Sequence, residues 1–473
     1  MSEGGKELLL FQLGPVQEFI AQAATPADLW AGSYLLASLT LAGARAVPGW
    51  DDARKTNPAF IFPDFTTPDV IDAMEGGERI PTIPNRFLVW VEAGTGRKVG
   101  EAAKAAVRAK LADDAKKLPA GAQAQVEQFP QMGYAVLAAD RVTGRMGDDY
   151  AAIGKLLAAR RNVREFDAWR ESVQTGPKDF LSGKETALKD GLGAMNLLKR
   201  GLVADLGKKV SEIQTKEDPY IAAVAMAGDR MGRNLSKFTT AAQHRAFSGA
   251  LATFAKAVEG IVKKQGGVLV YAGGDDVLAV VQAKKAIACA KELREAFSTV
   301  KGADGKPLTA SAGIAVGHEA TPLQELIHAA HAAESRAKRD YGRNALAVGV
   351  FKRSGEIVHW GCNWDSAAFG LLEDLKTHVL PARFPYKLAE LLRPYGDIPG
   401  SDMKEVVEFE FDHAWSRSAG NDIPQDVKAA ADNYLSECFG KDRARDFLAL
   451  FLCDTFVERD RSAKKNREGE SHD

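Results

Sequence analysis

Val268-Leu269-Val270-Tyr271-Ala272-Gly273-Gly274-Asp275-Asp276-Val277-Leu278-Ala279-Val280-Val281 is the stretch on which the fold turns. Two apolar runs of strand length, 268–272 and 277–281, are separated only by Gly-Gly-Asp-Asp, the pattern of a β-hairpin. Working outward, residues 220–226 read as a strand that runs into Ala227-Gly228-Asp229, and 240–264 as a helix. After the hairpin come a helix at 284–297, a strand at 308–316, a helix at 323–341 and a strand at 345–351. The order βαββαβ, with an added αβ, is the ferredoxin-like core on which palm polymerases and cyclases are built. Such a fold hosts many functions, so the site residues must carry the argument.

Two adjacent carboxylates at a tight turn repel each other unless a cation sits beside them. Mg2+ or Mn2+, which prefer oxygen ligands, are natural partners for Asp275 and Asp276. Gly273 and Gly274 permit unusual dihedrals and let a triphosphate approach the main chain. Asp229, at the end of the neighbouring strand, is placed to reach the same metal from the side. In isolation Gly-Gly-Asp-Asp is an ordinary polar turn. Between two buried-type strands, one helix after a strand with an acidic end, it reads as a metal-binding turn. Lys338 lies at a helix end just before Gly342-Arg343-Asn344; it offers a cation to a triphosphate, against the plainer reading of a solvated helix end. His318 reads as a loop hydrogen-bonder.

The first 150 residues form another α/β pattern. Strands are expected at 8–11, 59–62, 87–91 and 134–138, with a helix at 98–117 and a mostly helical 16–46 interrupted near Thr25-Pro26. Residues 151–215 read as helical and basic; Arg160, Arg161 and Arg164 form either a solvated face or a phosphate-contacting surface. After about 356 the chain reads as mainly helical, for example at 424–437 and 442–456, and 461–473 as a disordered tail. A length of 473 residues exceeds one hydrophobic core and implies two to four domains. The net charge of -1 gives no global attraction to nucleic acid, so any RNA or nucleotide site must be a local basic patch. Cys289, Cys362, Cys438 and Cys453 are scattered without a CxxC pair, which suits a reducing cytoplasm and supports no zinc site. No secretory leader and no bilayer-spanning stretch is read, so a cytoplasmic protein is expected.

Several segments resemble one family. Gly14-Pro15-Val16-Gln17-Glu18-Phe19-Ile20 and Asp28-Leu29-Trp30-Ala31-Gly32-Ser33-Tyr34-Leu35-Leu36 look like the opening of the large polymerase-like subunit of type III-B CRISPR effector complexes. Ile83-Pro84-Asn85-Arg86-Phe87, Leu197-Leu198-Lys199-Arg200, Ala227-Gly228-Asp229-Arg230-Met231-Gly232 and Tyr271-Ala272-Gly273-Gly274-Asp275-Asp276 continue the match. Ser311-Ala312-Gly313-Ile314-Ala315, His318 and Pro322-Leu323 extend it to about residue 355. The resemblance implies two ferredoxin-like palm/cyclase domains: a first at 1–150 and a second, carrying Gly-Gly-Asp-Asp, at 216–355. A helical linker at 151–215 and a helical C-terminal domain at 356–473 would complete the chain.

The resemblance further implies a subunit that, on target RNA binding, joins ATP into cyclic oligoadenylates. Asp275 and Asp276 would be catalytic and, with Asp229, metal-binding; Gly273, Gly274, Lys338 and Ser33 would bind nucleotide. Its partners would be the other effector subunits, with guide and target RNA reached through the complex, and no membrane. Three departures stand out. Many relatives begin with a histidine–aspartate nuclease domain, whereas the His-Asp pair here is His472-Asp473 in the tail, so no nuclease activity is expected. The stretch 179–185, where the family often carries a cysteine-bearing zinc element, has no cysteine, so no zinc is expected. The acidic turn usually reads Asp-Gly-Asp, and Ala227 takes its first position. Two alternatives therefore stay open: a catalytically weakened or inactive scaffold subunit, and a stand-alone nucleotidyl cyclase.

Overall fold

Among the described residues, ten strands build two sheets: β1 Lys6–Gly14, β2 Phe60–Phe62, β3 Arg86–Glu92, β4 Gln131–Leu137, β5 Tyr220–Gly228, β6 Val268–Gly273, β7 Asp276–Gln282, β8 Ala310–His318, β9 Ala345–Phe351 and β10 Ile357–Asn363. The computed structural model describes residues 5–76, 79–163, 176–205, 218–377, 380–381, 383–395, 403–418 and 424–457. Arg164, the 461–473 tail and His472-Asp473 lie outside the described residues.

The first sheet has the antiparallel order β2-β3-β1-β4, and the second the order β10-β9-β8-β5-β7-β6. Both contain the same core arrangement, in which the first strand of the unit lies between its third and fourth. The fold is thus α+β, with two ferredoxin-like palm units; the sequence pattern predicts the second, and the family resemblance implies both. In the second unit β9 adds parallel to β8, and β10 adds antiparallel to β9.

All nine residues of β5 are buried, so both faces of its sheet are covered. That accounts for an unbroken apolar run where a half-exposed strand would alternate. Ala222, Val224 and Met226 pack with the helices Ala241–Lys264 and Ala286–Phe297. Ile221, Ala223 and Ala225 face the other way, into a core that also contains Leu9, Phe11, Leu35 and Leu39 of the first unit. The helix Pro26–Arg45 lies in this shared core and is buried on nearly every side. Its start is fixed locally: Pro26 occupies the first turn, and Thr25 and Asp28 cap each other at 3.2 and 3.1 Å.

Two expectations are corrected. The stretch 151–215 is not helical throughout: between the helices Met146–Asn162 and Ala194–Asp205, residues 176–193 form an irregular knot. Asp179 organises it, accepting hydrogen bonds from the backbone N–H of Leu181 and Ser182 (2.8 Å each) and Gly193 (2.5 Å), and from Asn196 Nδ2. Local turns that satisfy an aspartate in this way compete with helix formation. Asp179→Ala would orphan these donors, those of Gly193 and Asn196 buried, and a loss of about 3 kcal/mol of stability is expected, read as a lower denaturation midpoint. The second correction is β10, a strand where helix was expected. Ile357 and His359 point outward and Val358, Trp360 and Cys362 inward, and Trp360 Nε1 donates to the Tyr434 hydroxyl at 2.8 Å. The C-terminal helices, among them Gln425–Gly440 and Ala444–Val457, pack behind it.

Candidate active site

Gly273 pairs with Asp276 across the hairpin, leaving Gly274-Asp275 as a two-residue turn. Gly274 has φ +69°, a left-handed conformation that costs glycine little. β5 runs alongside: Ala227 is the cross-strand partner of Asp276, and Gly228 N–H donates to the Asp275 carbonyl at 3.2 Å.

Burial raises both carboxyl pKa values above the usual carboxylate range. The charge of Asp275 raises that of Asp276 further, while Lys338 and Arg86 oppose the shift at both. Asp276 stays open to the cleft on one side, and water there offsets part of the effect. Glu334 adds a third negative charge nearby, itself paired with Lys338 at 2.5 Å. The helix carrying both, Leu323–Arg339, reaches this position because Gly313 of β8 has no side chain; a Cβ there would lie 2.0 Å from the Glu334 nitrogen.

A mutually repelling carboxylate pair, one member of it open to the cleft, suits a hard divalent cation. Among the described residues no three His, Cys, Asp or Glu side chains gather into a ligand cage. Two carboxylates with substrate phosphates and water completing the shell is the arrangement Mg2+ favours.

Asp276, Gly273 and Tyr271 form one end of a cleft of about 1210 Å³ between the two units. Ser33, on the buried helix Pro26–Arg45, lines it, as do the segments around Gly14-Pro15 and Pro84-Asn85. The lining is basic, with Lys104, Arg108, Arg160 and Arg161, of which Lys104 and Arg160 flank the Tyr134 ring. Arg160 sits 4.7 Å from the Tyr134 ring centroid, and the Tyr134 hydroxyl donates to Glu101 at 2.9 Å. Among the described residues Asp276 is the single acidic one in the lining, so the cleft is locally cationic in a chain of net charge -1.

Of the residues expected from sequence, Asp276, Gly273 and Ser33 meet in this cleft, with Asp275 and Gly274 at its turn and Lys338 electrostatically in range. Asp229 does not join them. Its carboxylate accepts hydrogen bonds from Ser311 Oγ (2.7 Å), Thr309 Oγ1 (2.8 Å) and Asn344 N–H (2.9 Å). His318 is the expected loop hydrogen-bonder, accepting from Ala320 N–H at 3.1 Å. Lys104, Arg108, Tyr134 and Glu334 escaped the sequence reading. The four-residue spacing of Lys104 and Arg108 puts them on one helix face, but a solvated face has the same signature.

The model for the second palm domain of Cas10/Cmr2 matches residues 220–347, and that for the N-terminal region of CRISPR-associated protein Cmr2 matches 8–117. The CRISPR system Cmr subunit Cmr2 of Pyrococcus furiosus is 31% identical over 221 residues, covering 44% of this chain and 24% of that protein. The Streptococcus thermophilus single-strand-specific deoxyribonuclease Cas10/Csm1 of subtype III-A is 27% identical over 198 residues, covering 40% and 24%. The matched stretch thus spans about a quarter of either curated relative. Among solved structures, the apo type III-B Cmr-beta complex contains a chain matching at TM-score 0.61 and 12% identity, over 89% of this chain and 78% of that one. The Csm1–Csm4 cassette with cA4 matches at 0.55 and 14%, over 96% and 70%. These two likenesses carry the fold; with both family regions in order and the hairpin at the cleft, the chain belongs to the Cas10/Cmr2 family.

Proposed function

We propose that this chain is the large subunit of a type III RNA-guided effector complex and joins ATP into oligoadenylates, including cyclic ones, at Asp275 and Asp276. The carrying observation is the adjacent, mutually repelling carboxylate pair at the hairpin turn, with Asp276 open to the end of a cationic cleft. Fold relatives have been solved as Csm1–Csm4 cassettes with ATP, pppApA, pppApApA, cA3 and cA4, which supports an adenine nucleotide in this cleft. The other complex subunits, guide RNA and target RNA are the proposed partners; a Cmr-beta complex bound to cognate target RNA has the same fold in its matching chain. Among the described residues no helix is long and apolar enough to cross a membrane.

In the proposed reaction the 3′-oxygen of one ATP forms a bond to the α-phosphorus of another. The bond to pyrophosphate breaks and the 3′-hydroxyl proton is released. A divalent cation bound at Asp275 and Asp276 would polarise the phosphate and offset charge on the leaving group. The turn at Gly274 holds the two carboxylates side by side, and Lys338 and Arg86 temper their repulsion. Ser33 and Pro84 also line the cleft, Pro84 close to Gly273, and its arginines offer forked donors to phosphate oxygens.

Arg108 and Arg161 are exposed, so their loss should leave the fold intact. Arg108→Ala/Arg161→Ala is expected to weaken ATP binding roughly tenfold at low salt, and by less as salt rises, measured by calorimetry on the full chain. The direct test is labelled ATP with Mg2+ or Mn2+, the assembled complex and matched target RNA; absence of any oligoadenylate would overturn the reading. Ala227 favours a second one, a nucleotide-binding scaffold that has lost the chemistry, because it leaves the strand beside Asp276 without a carboxylate.

A further inference from the structure

Directly after the helix Leu323–Arg339, Gly342, Arg343 and Asn344 all adopt left-handed backbone, with φ of 76°, 76° and 47°. For Arg343 and Asn344 this conformation carries a cost of about 1 kcal/mol each and persists only where the surroundings enforce it. The enforcing contacts come from three directions. Asp229 accepts the Asn344 N–H at 2.9 Å from the end of β5. Asn363, at the end of β10, donates to the Tyr341 carbonyl at 2.7 Å. Arg443, from the C-terminal helical region, donates to the Asp340 carbonyl at 2.9 Å.

The turn decides where the preceding helix ends, and the last turns of that helix carry Glu334 and Lys338, whose charges bear on the Gly-Gly-Asp-Asp carboxylates. Asp229 also sits one residue beyond Gly228, whose N–H holds the Asp275 carbonyl. It therefore ties both sides of the site together while keeping its own oxygens engaged by Ser311, Thr309 and Asn344.

We infer that Asp229 is a positioning residue and not a metal ligand: through Asn344 it fixes the strained turn, and with it Lys338, against Asp275 and Asp276. This rests on the proposed nucleotide site only for which carboxylates take the metal. No reading of the reaction is needed to test it.

The experiment uses the full chain with Mn2+, followed by electron paramagnetic resonance, and then ATP binding in saturating Mn2+. Asp229→Asn is expected to keep Mn2+ affinity within twofold, whereas Asp275→Ala/Asp276→Ala loses at least tenfold. ATP affinity should fall about fivefold in Asp229→Asn and in Lys338→Met, and by no more than that in the double variant, because both act through one group. Should Asp229→Asn fold poorly, Thr309→Val loosens the same carboxylate without removing it; Mn2+ binding should hold and ATP affinity drop about twofold. A tenfold loss of Mn2+ on Asp229→Asn would assign it as a ligand and overturn the inference. Additive losses in the double variant would overturn the route through Lys338. If the complex makes no oligoadenylate yet these binding results hold, the proposed reaction fails and the positioning role stands.

Discussion

Alanine at both Asp275 and Asp276 is expected to reduce oligoadenylate formation by the assembled complex about a thousandfold, with the fold left intact. Metal-assisted phosphoryl chemistry draws several kcal/mol of transition-state stabilisation from the cation, and about 4 kcal/mol corresponds to roughly that factor. The stability side follows from the same electrostatics. A carboxyl whose folded pKa lies above its unfolded value contributes stability at low pH, and that contribution is lost as pH rises through the folded value. Burial raises both carboxyls, so near neutral pH the metal-free pair weakens the fold. The alanine variant should therefore melt no lower than the wild-type chain at pH 7. Mn2+ at a hundred times its dissociation constant should stabilise the wild type by about 2.7 kcal/mol and the variant hardly at all. A variant that still makes product, or that gains as much from Mn2+, would place the metal elsewhere.

Restoring a carboxylate beside the pair is the second large effect. Ala227 and Asp276 are direct cross-strand partners, so their Cβ atoms lie about 5 Å apart on one face of the sheet. The carboxylate introduced by Ala227→Asp would face the cleft side of the hairpin, where a third oxygen donor tightens a divalent site. The expected result is at least a tenfold gain in Mn2+ affinity in the full chain and, if the scaffold reading is correct, the appearance of oligoadenylate where the parent chain makes none. Equal Mn2+ affinity in the two chains would show that position 227 is remote from the metal and that its alanine is of no consequence to the chemistry.

Much of this was legible in the sequence, for stated reasons. Val268–Gly273 and Asp276–Gln282 announce a hairpin because only a tight turn fits between two apolar runs, and the structure places that hairpin at the sheet's edge, with Gly273 paired to Asp276 and a register shift between Leu269 and Tyr271. The break at Thr25-Pro26 was readable because proline and a capping threonine are local signals. β10 was missed although Val358, Trp360 and Cys362 alternate with Ile357 and His359 after Gly355; strong helical patterns on the C-terminal side drew the whole region to helix. The knot at 176–193 was missed because Asp179, beyond its local bonds to Leu181 and Ser182, meets Gly193 and Asn196 only after the chain has turned back on itself. The same limit applies to the site. Adjacent Asp275 and Asp276 can be read as a pair, but the basic lining of Lys104, Arg108, Arg160 and Arg161 comes from two helices far apart in sequence. The three donors that occupy Asp229 are likewise distant from it, at 309, 311 and 344.

The helix Pro26–Arg45 has a consequence for how such a chain can be divided or recombined. A fragment beginning at residue 218 would carry the hairpin and every strand of the second sheet, yet Ile221, Ala223, Ala225, Val270, Leu278 and Val280 would lose part of their cover. Bare apolar area of that kind invites aggregation. The hairpin and the helix that packs against its sheet therefore move as one piece: a graft that takes the carboxylates must also take Ser33 and its helix, or redesign the seam between them.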